Sequence, residues 1–421
     1  NGFDLKQIFE QSSIYLIPMV NPDGVDLVTG ALDDTSSAYR YALQIGKKYP
    51  DIPILVVKNR TDNGTDSFQR SFWKFANDNN LPMKELEDVY SIPDLIFLSL
   101  EFDRIIYPER FSSSKLFNIH FSLLPAYKGM YTSALPILHA EERSGVTLHK
   151  IDSGIDTGDI LCQKAIMLSP SETAKSLYKK YIQVGTDLVV ENIDSILNDT
   201  YTTVPQSSEH SLYFSKSSLN YSDLELDLNV TAFQLSSQIR AFNFRDYQLP
   251  KLYGYSVVGA CITNDRSTLR PGRILEDDCN YICLSTIDYN IRVYKDRLYD
   301  LLECCKLNDL YGLKLIPQLD YYLFESEQTH GWTLLMVAAY NNSIDVCRYL
   351  IEQGADVNAR NFNGTTVLMY AKDAVLRTEN YNLIDLFLEN GANPLLEDYS
   401  GKNLFDYLKI QSMVLLQYIN N

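Results

Sequence analysis

The residues able to do chemistry gather in two short stretches of this chain. The first is LFNIHFSLLPAYKG, residues 116–129, where Asn118 and His120 stand two apart. Side chains in a strand alternate between faces, so these two point one way while Phe117, Ile119 and Phe121 point the other. Two polar groups able to bond a carbonyl oxygen thus share the end of an apolar strand. Pro125 closes that strand, and Gly129 permits the tight turn behind it. The second stretch is GVTLHKIDSGIDTGDIL, in which Gly154 and Gly158 bracket Asp156 in a loop that backbone groups can approach closely. Isolated, a histidine after an apolar strand is usually a satisfied core residue. Asn118 before it, SLLP behind it and DTGD downstream argue against that here. His139, His149, His210 and His330 have no such context and read as structural or surface residues. The sequence offers no nucleophile elbow, and none of its seven cysteines has metal-ligand spacing.

These residues need a scaffold, and residues 1–205 supply an alternation of strands and helices. SIYLIPMV, IPILVVK and DLIFLSL are short apolar runs; SSAYRYALQIGKK and SFQRSFWKFANDNN have helical spacing. Such alternation predicts a doubly wound, Rossmann-like α/β domain that binds ligands beyond the carboxyl ends of its parallel strands. Over residues 206–295 a helix at VTAFQLSSQIRAF is followed by the short strands YSVVGACIT, YICLSTI and NIRVY, which predict a small β-rich, OB-like domain. Residues 296–421 hold a repeat with units starting at Gly331, Gly364 and Gly401, spacings of 33 and 37. TLLMVAA and GADVN at that period resemble the ankyrin repeat, with the extra residues falling in 372–383 and RLYDLLECCKLNDLYGLKLI as the N-terminal cap.

Composition narrows the class. Hydrophobic residues at 45% and charged residues at 22% are those of a soluble globular protein, and 421 residues suffice for two or three cores. With 37 basic and 54 acidic side chains the net charge is −17, a field that repels phosphate backbones; no basic patch opposes it, and no nucleic-acid partner is expected. No apolar run approaches membrane-spanning length, so no membrane insertion is expected. The odd cysteine count and the absence of a signal peptide point to the reducing cytoplasm.

NIHFSLLPAYKG followed by GIDTGDI resembles the folate-dependent formyltransferases over roughly residues 50–295; TAFQLSSQIRAFNF and RPGRIL resemble that family's C-terminal module. The resemblance implies 10-formyltetrahydrofolate as formyl donor and puts the catalytic Asn, His and Asp at Asn118, His120 and Asp156. An uncharged amine attacks the formyl carbon, Asn118 donates to the oxygen that gains charge, and His120 takes or relays the proton. Asp156 orients the imidazole or moves protons through a water. MYTSALPIL is similar to the sugar N-formyltransferases acting on dTDP-linked aminodideoxyhexoses. A branch with C-terminal ankyrin repeats implies dTDP-3-amino-3,6-dideoxyglucose as substrate, a role in surface polysaccharide (O-antigen) biosynthesis, and a homodimer. The alternatives are methionyl-tRNA formylation, which the acidic charge disfavours, and a catalytically inactive ankyrin scaffold, which the intact Asn118, His120 and Asp156 disfavour.

Candidates for the nucleotide sugar are Lys128 and Tyr131 near the strand, with Asn243, Arg245 and Tyr247 in AFNFRDYQLPKLYG, where Arg245 offers charge-assisted bonds to a diphosphate. Trp332, just before the repeat threonine, is the candidate for a small ligand on the ankyrin module, which otherwise docks a protein of the same pathway. Residues 1–53 depart from the formyltransferase pattern. IPMVNPDGVDLVTGAL and YALQIGKKYPDIP resemble a fragment of the zinc carboxypeptidases, yet no His-x-x-Glu ligand motif is present, so neither zinc nor peptidase activity is expected.

Overall fold

The computed structural model describes residues 14–18, 52–66, 71–221 and 224–420. Short apolar runs form a parallel sheet because buried strands need hydrophobic residues on both faces. In order these are β1 (Ile14–Pro18), β2 (Ile54–Val56), β3 (Ile96–Leu100) and β4 (Lys115–His120). All five residues of β3 are buried. The two-residue strand β5 (Lys128–Gly129) then leaves the sheet, and β6 (Arg143–Lys150) and β7 (Ile160–Met167) return to it antiparallel. Among the described residues the order is β2-β1-β3-β4-β6-β7. Strand β1 therefore comes from the atypical N-terminal segment and lies between β2 and β3, parallel to both. The rest of the carboxypeptidase-like stretch and the SSAYRYALQIGKK helix lie outside the described residues.

Helices α1 (Phe72–Asp78), α2 (Leu86–Val89), α3 (Leu135–Leu138) and α4 (Ala174–Leu197) belong to this unit. The hydroxyl of Thr173 accepts the N–H of Ser176 and so starts α4, which buries Leu177, Tyr178, Tyr181, Ile182 and Val189 against the core. Tyr181 and Phe121 stack there with ring centres 5.1 Å apart.

Strand β8 (Tyr213–Phe214) pairs with β5, and α5 (Ala232–Phe242) opens the next unit behind the capping box of Thr231 and Gln234. Strands β9 (Lys251–Leu252), β10 (Tyr255–Arg266), β11 (Ile274–Asp277), β12 (Tyr281–Ser285) and β13 (Tyr289–Lys295) form an antiparallel sheet in the order β11-β12-β13-β10-β9.

The C-terminal helices are α6 (Leu298–Leu307), α7 (Leu310–Leu315), α8 (Leu334–Tyr340), α9 (Ile344–Glu352), α10 (Val367–Thr378), α11 (Asn382–Glu389), α12 (Leu404–Gln411) and α13 (Met413–Asn420). Thr333 and Thr366 occupy equivalent caps and accept the N–H of Met336 and Met369. The extra residues of the second repeat lengthen α10 to 12 residues, against 7 in α8. Val258 and Tyr294 of the β-rich sheet share one apolar cluster with Leu298, Leu301 and the repeat leucines. No helix among the described residues is long and apolar enough to cross a membrane.

Candidate active site

Strand β4 turns Phe117, Ile119 and Phe121 into the main core and leaves Asn118 and His120 on the other face. Register then selects their company. Antiparallel pairing sets Asn118 opposite His149 and His120 opposite Thr147. Parallel pairing sets Ser99 beside Asn118.

Behind β4 the chain turns so that Nε2 of His120 lies 2.8 Å from the carbonyl oxygen of Tyr127. That carbonyl can only accept, so neutral His120 carries its proton on Nε2 and presents the Nδ1 lone pair to the site. Gly129 follows at φ +84°, and a Cβ there would stand 2.2 Å from the carbonyl oxygen of Phe214. Only glycine fits, and its N–H donates to Oδ2 of Asp156 at 2.9 Å.

Asp156 sits at φ +54°, in a loop held closed by Gln206, whose Nε2 donates to the carbonyls of Asp156 and Gly158. Left-handed backbone at a non-glycine residue is strain that surrounding contacts must hold. Oδ2 of Asp156 is 3.4 Å from Nδ1 of His120, and Oδ1 is 3.5 Å from Nε2 of His149. Asn118 donates through Nδ2 to Oδ1 of Asp156 at 3.2 Å and lies 3.1 Å from Nε2 of His149. Nδ1 of His149 donates to the carbonyl of Lys150 at 2.7 Å, which makes Nε2 the acceptor for Asn118. Asn118, His120, His149 and Asp156 are one connected network.

Burial disfavours the imidazolium of His120 and holds its pKa below the usual value, with the Asp156 carboxylate opposing. Burial alone would raise Asp156. The positive charge that His120 carries when protonated, the His149 ring and the N–H of Gly129 outweigh it and hold the carboxyl well below the carboxylate range. Asp156 is therefore an anion beside a basic nitrogen.

All four side chains line a cavity of about 560 Å³, whose lining also includes Ile105, Ile106, Ile155, Tyr131 and Tyr178. The lining mixes isoleucine and aromatic side chains with many polar ones, so the site offers a flat ring apolar contact and a polar ligand hydrogen bonds.

Other sequence candidates are placed differently. The Lys128 side chain is buried and does not line the cavity. Tyr131 does, at φ +63°, but its hydroxyl donates to the carbonyl of Lys216 at 2.6 Å. Asn243, Arg245 and Tyr247 lie away from the cavity. Asn243 caps α5 and donates to the carbonyl of Val258, and Tyr247 packs on Phe244 at 4.9 Å. Arg245 spends its guanidinium on Asp296, at 2.6 and 2.8 Å, and on Glu325 at 3.3 Å. A diphosphate would have to displace that buried pairing. Trp332 is half-buried against Tyr370 and Tyr340, with ring centres 4.9 and 5.7 Å away.

His149 is the residue that sequence reasoning set aside. Its signal was present: in GVTLHK the alternation puts Thr147 and His149 on one face of a strand that runs straight into the Asp156 loop.

Residues 46–193 match the formyl transferase family, and residues 301–398 match ankyrin repeats in three copies. The solved structure of WlaRD, a sugar 3N-formyl transferase with dTDP and 5-N-formyl-THF, is 38% identical, with a TM-score of 0.59 over 68% of this chain and 98% of that one. An N-formyltransferase from Helicobacter canadensis, in complex with folinic acid and dTDP-3-aminofucose, is 36% identical, with a TM-score of 0.59 over 68% of this chain and all of that one. The methionyl-tRNA formyltransferase of Legionella pneumophila strain Philadelphia 1 is 30% identical over 186 residues, and this chain spans 57% of its length. With nearly whole-length similarity to two N-formyltransferases, this chain belongs to the folate-dependent formyltransferase family and carries C-terminal ankyrin repeats.

Proposed function

We propose that this chain transfers the formyl group of 10-formyltetrahydrofolate to the amine of a dTDP-linked amino sugar, with dTDP-3-amino-3,6-dideoxyglucose the first candidate and surface polysaccharide its destination. The observation that carries this reading is similarity over 98% and 100% of two sugar-type N-formyltransferase chains, whereas the methionyl-tRNA enzyme is matched over about half its length. The net charge of −17 also opposes an RNA substrate.

The folate, when bound, supplies the activated formyl group, and Ile105, Ile106 and Ile155 in the cavity lining offer a flat ring apolar contact. The chain's own residues then orient and move protons. Asn118 turns one Nδ2 hydrogen from Asp156 or His149 to the formyl oxygen as charge develops there. His120 collects at Nδ1 the proton lost as the new C–N bond forms, and can return it to the folate nitrogen that would leave as the old C–N bond breaks. Asp156 stabilises the resulting imidazolium, and His149 holds Asn118 in place. On the ankyrin module, Trp332 and its tyrosine neighbours form an aromatic site for a small ligand or a pathway partner. A Trp332→Ala chain that keeps its response to dTDP-sugars would exclude the ligand role.

The test is turnover with 10-formyltetrahydrofolate across a panel of dTDP-amino sugars and methionyl-tRNA. Formylation of at least one sugar and none of the tRNA is expected. Efficient tRNA formylation without sugar activity reverses the assignment.

A further inference from the structure

Other buried carboxylates among the described residues have cations. Asp103 pairs with Arg60, Glu172 with Lys180 and Asp246 with Lys175. Glu101 does not. It follows β3 directly, is 9% exposed and lines the same cavity as Asn118, His120 and Asp156. Its φ of +59° is a left-handed conformation that a non-glycine residue holds only under constraint. Tyr178 of α4 donates its hydroxyl to Oε2 at 3.0 Å, and no basic side chain among the described residues pairs with either oxygen. Burial, only partly opposed by Tyr178, pushes the carboxyl up to about 8.

Register places this group close to the chemistry. Leu100 pairs with Ile119, so the chain continues into Glu101 beside His120. A buried carboxylate without a cation is costly, so Glu101 holds a proton until an ammonium arrives beside it, favours the ionised form and sends that proton to solvent. The nucleophile of the reaction proposed above is a primary amine, which reaches the protein from water as an ammonium and cannot attack in that form. We propose that Glu101 is the residue that receives the substrate's amino group, pairing its carboxylate with the ammonium and taking one proton from it. The N–H bond breaks, an O–H bond forms on Oε1, and the electron pair stays on nitrogen for the attack. The second proton, released as the C–N bond forms, is the one assigned to His120. Tyr178 positions the carboxyl.

This inference rests on the amino-sugar reading, and the experiment separates the two. Calorimetry measures the affinity of wild type and Glu101→Gln for a dTDP-amino sugar, for the same sugar with hydroxyl in place of amine, and for folinic acid. Wild type should prefer amine over hydroxyl by about 10- to 100-fold, the range a hydrogen bond to a charged group carries. Glu101→Gln should lose that preference and keep its affinity for the hydroxyl sugar and folinic acid within about twofold of wild type. A folded Glu101→Gln chain that retains the preference, or that weakens all three ligands alike, overturns the proposal. Where the variant does not fold, a wild type without amine preference overturns it as well. A wild type that binds neither dTDP-sugar overturns the substrate reading and this inference together.

Discussion

Nδ1 of His120 faces Oδ2 of Asp156 across 3.4 Å, with both side chains nearly shut off from solvent. An anion beside a basic nitrogen favours the protonated imidazole at the moment a proton arrives. Removing either partner should therefore strike turnover rather than folate binding. His120→Ala and Asp156→Asn are each expected to lower kcat/KM by at least about 10²-fold, with folate affinity by calorimetry nearly unchanged. Near-normal turnover in either folded variant refutes the roles.

The pH profile follows from the same pair. Burial destabilises the imidazolium of His120, so its pKa falls below the ordinary value near 6.5. The working form is the neutral base, populated as pH rises through that lowered pKa. The limb that His120 contributes to kcat/KM should accordingly lie below about 6.5, the value for an unperturbed histidine, beneath the one that Glu101 contributes at about 8. Asp156 is the largest influence raising that pKa, so residual activity in Asp156→Asn should show the limb displaced further toward acid. Profiles of wild type and variant decide this; an acid limb that moves up in the variant contradicts it.

Lys175 opens α4 and is buried between Asp246 at 2.8 Å and Glu325 at 2.9 Å, the latter on the segment leading into the ankyrin helices. Lys175→Met leaves two buried carboxylates without that cation and should cost about 3 kcal/mol, the range for breaking a buried ion pair from one side. Glu325→Gln should cost less, because Asp246 still holds Lys175. Denaturant melts of the two variants give the comparison, and equal losses would show that Asp246 contributes nothing.

Strand periodicity and two motifs determined much of this protein. The apolar runs at 96–100 and 116–121 specify buried strands by hydrophobicity alone, and the alternation within NIH puts Asn118 and His120 on one face wherever the strand lies. The repeat spacing specified stacked helices, since each unit can bury its apolar face only against the next. Partnership across the chain was decided by tertiary structure. Pairing of β4 with β6 set His149 against Asn118, a register that neither strand's own pattern encodes. Glu101 in SLEFDRII looks like any surface acid until β3 ends beside His120 and α4 lays Tyr178 over it. Arg245, offered by its sequence context to a diphosphate, is instead held by Asp296 and Glu325, because packing of the β-rich sheet against the repeats brings those acids to it. Periodicity fixes which face a side chain takes; only the folded chain fixes what stands opposite.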